Sequence, residues 1–162
     1  MKPFFPVTLC ILLGCGLMAG LFFAFSVCVM KALGQLPPDK GITAMQSINV
    51  AILNPVFFTI FFGTAATCAL TLVSSFLHWH APGARYLFTG SVFYLVGVLL
   101  VTVLFNVPMN ETLASSNPAS HDSAHLWATY LTIWTAWNHV RTIAALAAMA
   151  LFALALCQPT DS

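Results

Sequence analysis

Hydrophobic and polar positions along this chain alternate in long blocks rather than at short periods. Four apolar runs, over residues 4–33, 55–77, 86–106 and 137–157, are separated by stretches that are polar, proline-bearing or both. A helix needs about 20 residues to cross about 30 Å of hydrocarbon, so each run is long enough to span a membrane. The pattern predicts an all-α fold: an integral membrane four-helix bundle, formed by a single domain whose length the four spans nearly exhaust. Gly16, Gly20 and Ala24 recur at four-residue steps in the first run. That small-residue ridge lets another backbone approach closely in lipid, which predicts a central first helix and allows a homodimer. The run is also longer than the apolar region of a signal peptide, so it reads as a span despite Lys2 and the small residues near Ser26.

The connections carry their own patterns. Leu36-Pro37-Pro38-Asp39-Lys40-Gly41 reads as a turn, because paired prolines do not continue a helix. From Ile42 to Leu53, Met45, Gln46 and Asn49 share one side at helical spacing, predicting a short amphipathic interfacial helix. Pro55 then begins or kinks the second span, whose Phe57, Phe58, Phe61 and Phe62 are expected to face lipid. His78 to Gly83 is a tight connection, with Arg85 and Tyr86 as anchors for span three. Asn106 to Glu111 closes that span, and Ser115 to Ser123 is the longest loop. Trp127, Tyr130, Trp134, Trp137, Asn138 and Arg141 then recur every three or four residues. They predict a helical face that is aromatic first and polar afterwards.

Composition agrees with a lipid partner. Of 162 residues, 60% are hydrophobic and 6% charged, where a soluble domain has about 25% charged. A net charge of +1 without a Lys/Arg cluster excludes the footprint of a nucleic-acid binder. The five cysteines have no CxxC spacing and read as small core residues. Counting crossings puts both termini and the His78–Arg85 connection on one side. The sparse Lys/Arg distribution places that side in the cytoplasm.

On this topology Gln46, Asn49, Asn54, Asn106, Asn110, Glu111, Asn138, His139 and Arg141 converge on one face. Each asparagine alone reads as a helix cap; together they resemble the lining of a pocket. Arg141 is followed by apolar residues and needs a partner, either Glu111 or asparagine carbonyls. His139, alone, fits a structural residue or a catalytic base. Trp127 reads as part of an interfacial belt, and Trp134 and Trp137 as the same belt or as walls for a flat aromatic ligand. His121 and His125 stand four apart but read as a solvated face, and no metal site is expected. A haem or copper site through His139 lacks a second histidine in the pocket, and a transporter lacks inverted repeats and a mid-span acid.

Gly16-x-x-x-Gly20 with Phe23-Ala24-Phe25-Ser26, Met45-Gln46-x-x-Asn49, Phe105-Asn106-Val107-Pro108-x-Asn110 and Trp137-Asn138-His139-Val140-Arg141-Thr142 together resemble the anthrone-oxygenase-like membrane family. The resemblance runs from about Gly14 to about Leu151. It implies a four-helix membrane bundle and a monooxygenase that works without a cofactor on an anthrone-like or other apolar aromatic substrate. In such a site His139 would be the base and Arg141 the charge that stabilises an enolate. Asn49, Asn106, Asn110 and Asn138 would fix substrate oxygens, with Trp134 and Trp137 stacked on the rings. The residues themselves leave open a non-enzymatic membrane module that binds a small amphipathic ligand or serves as a partner subunit.

Overall fold

A computed structural model describes residues 5–120 and 122–158. Four of its helices are long and apolar enough to cross a membrane: α1 (Phe5–Leu33), α3 (Pro55–Leu77), α4 (Ala84–Ser115) and α5 (Ser123–Leu156). A shorter helix, α2 (Pro38–Ala51), links the first two spans. α1 packs against α3 and α5, and α4 packs against the same two, which closes a four-helix ring.

The helix ends follow the prolines and caps. Pro38 does not sit in a turn, as its place in a proline pair suggests, but opens α2 from its first turn, where a missing N–H costs nothing. Asn54 caps α3 by accepting from the Phe57 N–H at 3.0 Å, with Pro55 just inside the helix. Gly83 takes the left-handed conformation, φ 82°, that turns the chain into α4.

Two of the spans contain wide π turns, in which the N–H bonds five residues back instead of four. One covers Phe25–Val29 in α1, and two cover Leu95–Leu100 and Thr102–Asn106 in α4. The last ends two residues before Pro108, whose ring would clash with the carbonyl four residues earlier in a regular helix. The wider turn absorbs that conflict, so α4 continues to Ser115 rather than ending near Asn106.

The interior falls into two clusters. One holds Ile11, Cys15, Met18, Phe22, Phe61, Cys68, Tyr94, Val98, Ala145, Ala148 and Phe152, where small residues let helices close in. A Cβ on Gly14 would collide with the Thr64 hydroxyl, and one on Gly97 with the Ala144 methyl. Gly16 faces Met149, but Gly20 has nothing within 4 Å, so the predicted ridge is used only in part inside the chain. The other cluster holds Met30, Leu33, Ile42, Met45, Leu113, Trp127, Tyr130 and Trp134. Two expectations change here. Phe61 is buried and stacks on Phe57 rather than facing lipid, and Trp127 is buried over Gly41 rather than lying in an interfacial belt.

Candidate functional site

The second cluster and the middle of α5 enclose a cavity of about 100 Å³. Every helix contributes to it: Phe22 and Phe25 from α1, Met45 and Asn49 from α2, Phe57 from α3, Thr102 and Asn110 from α4, and Trp134, Asn138 and Arg141 from α5. Two of its lining residues are exposed: Leu53, where α2 hands over to α3, and Val107 on α4.

Arg141 dominates the chemistry. It is 6% exposed, and its guanidinium carbon stands 4.4 Å from the centroid of the Phe22 ring and 5.1 Å from that of Trp134. Nη2 donates to Asn138 Oδ1 at 2.6 Å and Nη1 to Thr102 Oγ1 at 3.3 Å, while Nε has no partner. An arginine at this depth costs about 2.5–3.5 kcal/mol on insertion scales, and two aromatic faces offset it by about 2 kcal/mol. Of the two partners expected for it, the asparagine is present; Glu111 is exposed, and no carboxylate reaches Arg141 among the described residues.

Asn138 is the hub of the site. Its Nδ2 donates to the Phe22 carbonyl and to Ser26 Oγ, both at 2.7 Å, so its Oδ1 must face the guanidinium. Ser26 sits inside the π turn of α1 and Thr102 opens the π turn beside Pro108, so both irregular turns deliver polar atoms to this network. Asn110 Oδ1 accepts from Tyr130 Oη at 2.7 Å and from Trp134 Nε1 at 2.8 Å, which fixes the indole as a cavity wall. Asn49 Nδ2 is buried near the Tyr130 hydroxyl without completing a hydrogen bond to it.

The structure brings Asn49, Asn110, Trp134, Asn138 and Arg141 together and leaves three expected residues elsewhere. Asn106 is buried but outside the cavity, donating to the Trp134 carbonyl at 3.2 Å. Trp137 stacks on Phe105 at 3.7 Å on the outer side of the bundle. His139 is exposed and does not line the cavity, because it follows Asn138 by one residue and so points about 100° away around α5. Gln46 and Asn54 act as caps instead, Gln46 on the Leu113 and Ser116 carbonyls at the end of α4. His125 is exposed on α5, and its pairing with His121 lies outside the described residues.

Sequence reasoning missed Phe22, Ser26 and Thr102 as site residues. Ser26 belonged to a quoted motif, but an ideal helix gives no sign that a π turn rotates it toward Asn138. Thr102 lies in an apolar run with no signal of its own.

No curated protein and no solved structure matches the chain. The sequence model for anthrone oxygenase matches residues 57–151, which include Thr102, Asn110, Trp134, Asn138 and Arg141, while α1 and α2 lie outside the match. With that match over more than half of its length, the chain belongs to the anthrone oxygenase family.

Proposed function

We propose that the protein is a membrane-embedded oxygenase that oxidises an apolar aromatic substrate of the anthrone type. The observation that carries this reading is the guanidinium of Arg141, buried without a carboxylate at the end of an aromatic-walled cavity. Membership in the anthrone oxygenase family supports an oxygenase reaction.

Anthrone oxidation removes a proton from the CH₂ opposite the carbonyl, and the negative charge moves to the carbonyl oxygen. A fixed positive charge in a water-poor site stabilises that enolate far more than the neutral ketone. Arg141 meets this need, and the proton leaves to solvent past the exposed lining residues Leu53 and Val107. Dioxygen then bonds to the enolate carbon. The resulting peroxide loses the second C–H proton as its O–O bond breaks, so one dioxygen yields one carbonyl oxygen and one water. Asn49 Nδ2 and Arg141 Nε are the donors left for the substrate or peroxide oxygens. A cavity of about 100 Å³ takes one end of a tricyclic ring system, and the remainder lies against Ile52, Leu53 and Phe57.

The base is not assigned to His139, which has no access to this cavity. The test is oxygen uptake by protein in an uncharged detergent on addition of an anthrone. Wild type is expected to consume one dioxygen per anthraquinone formed. Arg141→Lys, which keeps the charge but loses the planar fork, should lower kcat by about 10²–10³-fold. Anthrone oxidation no faster than the protein-free rate would overturn the reading.

A further inference from the structure

Every neighbour of the Arg141 guanidinium is neutral: an amide oxygen, a hydroxyl and two aromatic faces. The described carboxylates lie elsewhere. Glu111 is exposed on α4, Asp39 pairs with Lys40, and Asp122 stands at the start of α5, about 28 Å along the axis from Arg141 at 1.5 Å per residue. Among the described residues the charge is therefore uncompensated, in a medium where charges are normally paired.

The unpartnered polar atoms around the cavity share one sign. Arg141 Nε and Asn49 Nδ2 are both donors, and the unpartnered acceptor Asn106 Oδ1 does not line it. Asn138 cannot turn its amide round to offer an acceptor, because Phe22 and Ser26 hold its Nδ2. Asn110 Oδ1 is likewise taken by two donors. A cavity with one cation whose buried unpartnered atoms are both donors, about 100 Å³ in size and largely apolar, suits a single negative charge. A dianion would carry a surplus charge against aromatic walls.

We propose that this cavity is a binding site for a small monovalent anion, a halide or a carboxylate group, held between the Arg141 guanidinium and Asn49 Nδ2. The anion balances Arg141 before substrate arrives. Resting on the oxygenase reading, the neutral substrate then displaces it and becomes the enolate in its place by releasing a proton, so KM rises with the competing anion.

Azide is the probe, because its infrared stretch shifts when it leaves water for a dry cationic site. Detergent-purified protein is expected to show a shifted band that saturates at about one azide per chain. Displacement by chloride assigns the site to a free inorganic anion; displacement by dodecanoate with chloride inert assigns it to the carboxylate of an amphiphile. Arg141→Gln should abolish the shifted band, and Asn49→Ala should weaken azide binding. Asn138→Asp guards against a misfolded Arg141→Gln: it retains the arginine but places a carboxylate against it, and should also remove the band. An identical unshifted azide band in wild type and these variants overturns the proposal. Oxygen uptake is read separately: azide binding without anthrone turnover keeps the anion site and sinks the oxygenase, and the reverse result sinks the anion site alone.

Discussion

The two halves of the interior are built on opposite principles. Around Cys15, Tyr94, Ala148 and Phe152 the helices approach through glycine and alanine, and buried polar groups find backbone partners: Tyr94 donates to the Phe61 carbonyl at 3.1 Å and Ser91 to the Leu87 carbonyl at 2.8 Å. Around Trp134 and Arg141 the walls are large rings, and polar atoms bond to one another across helices. The unpartnered buried side-chain atoms found among the described residues, on Asn49, Asn106, Trp127, Thr135 and Arg141, all belong to this second half or its border. The difference is one of satisfaction: the first half pairs its buried polar groups within the chain, and the second leaves some of them without a partner.

The comparison breaks first at Phe152. Truncation to Ala in the self-satisfied half should lower stability by about 3–5 kcal/mol, read as a fall in unfolding temperature in detergent, while the folded fraction keeps its activity per molecule. A fall in kcat of the folded fraction would show that the halves are not separable. Asn110→Ala should cost less, about 1–3 kcal/mol, because Tyr130 and Trp134 lose their shared acceptor. Here the distinguishing readout is kinetic: KM should rise as the freed indole no longer holds the cavity wall, and an unchanged KM would remove Trp134 from substrate contact. His139→Ala should have the smallest effect, within about 0.5 kcal/mol in stability, as expected for an exposed side chain. Its oxygen uptake should stay near wild type, and loss of turnover would return the base role to His139.

Much of this contrast was legible before any coordinates. Run length and the scarcity of charge fix four membrane-spanning helices, because hydrocarbon leaves the backbone few other solutions. The convergence of Asn49, Asn110, Asn138 and Arg141 followed from counting crossings. What spacing could not supply was azimuth. His139 and Trp137 flank Asn138 in sequence, yet one residue on a helix turns a side chain by about 100°, so a contiguous motif divides between cavity and exterior. Phe61 and Trp127 were misplaced for a related reason: in a membrane protein an aromatic residue has the same hydropathy whether it meets lipid or the bundle interior.

The π turn of α1 also has an evolutionary reading. A turn of this kind holds one residue more than the α-helix around it, so it can arise by a single-codon insertion and vanish by a single-codon deletion. Removing Val27 would restore regular winding: the wide turn takes up its extra residue locally, so the helix on either side stays in place while the displaced residues of the turn return to the α-helical path. Ser26 and the Phe22 carbonyl would no longer meet Asn138 together. The reach of Arg141 into the cavity thus depends on the length of a helix it does not belong to, and a gap of one residue in α1 would mark relatives that hold their arginine differently.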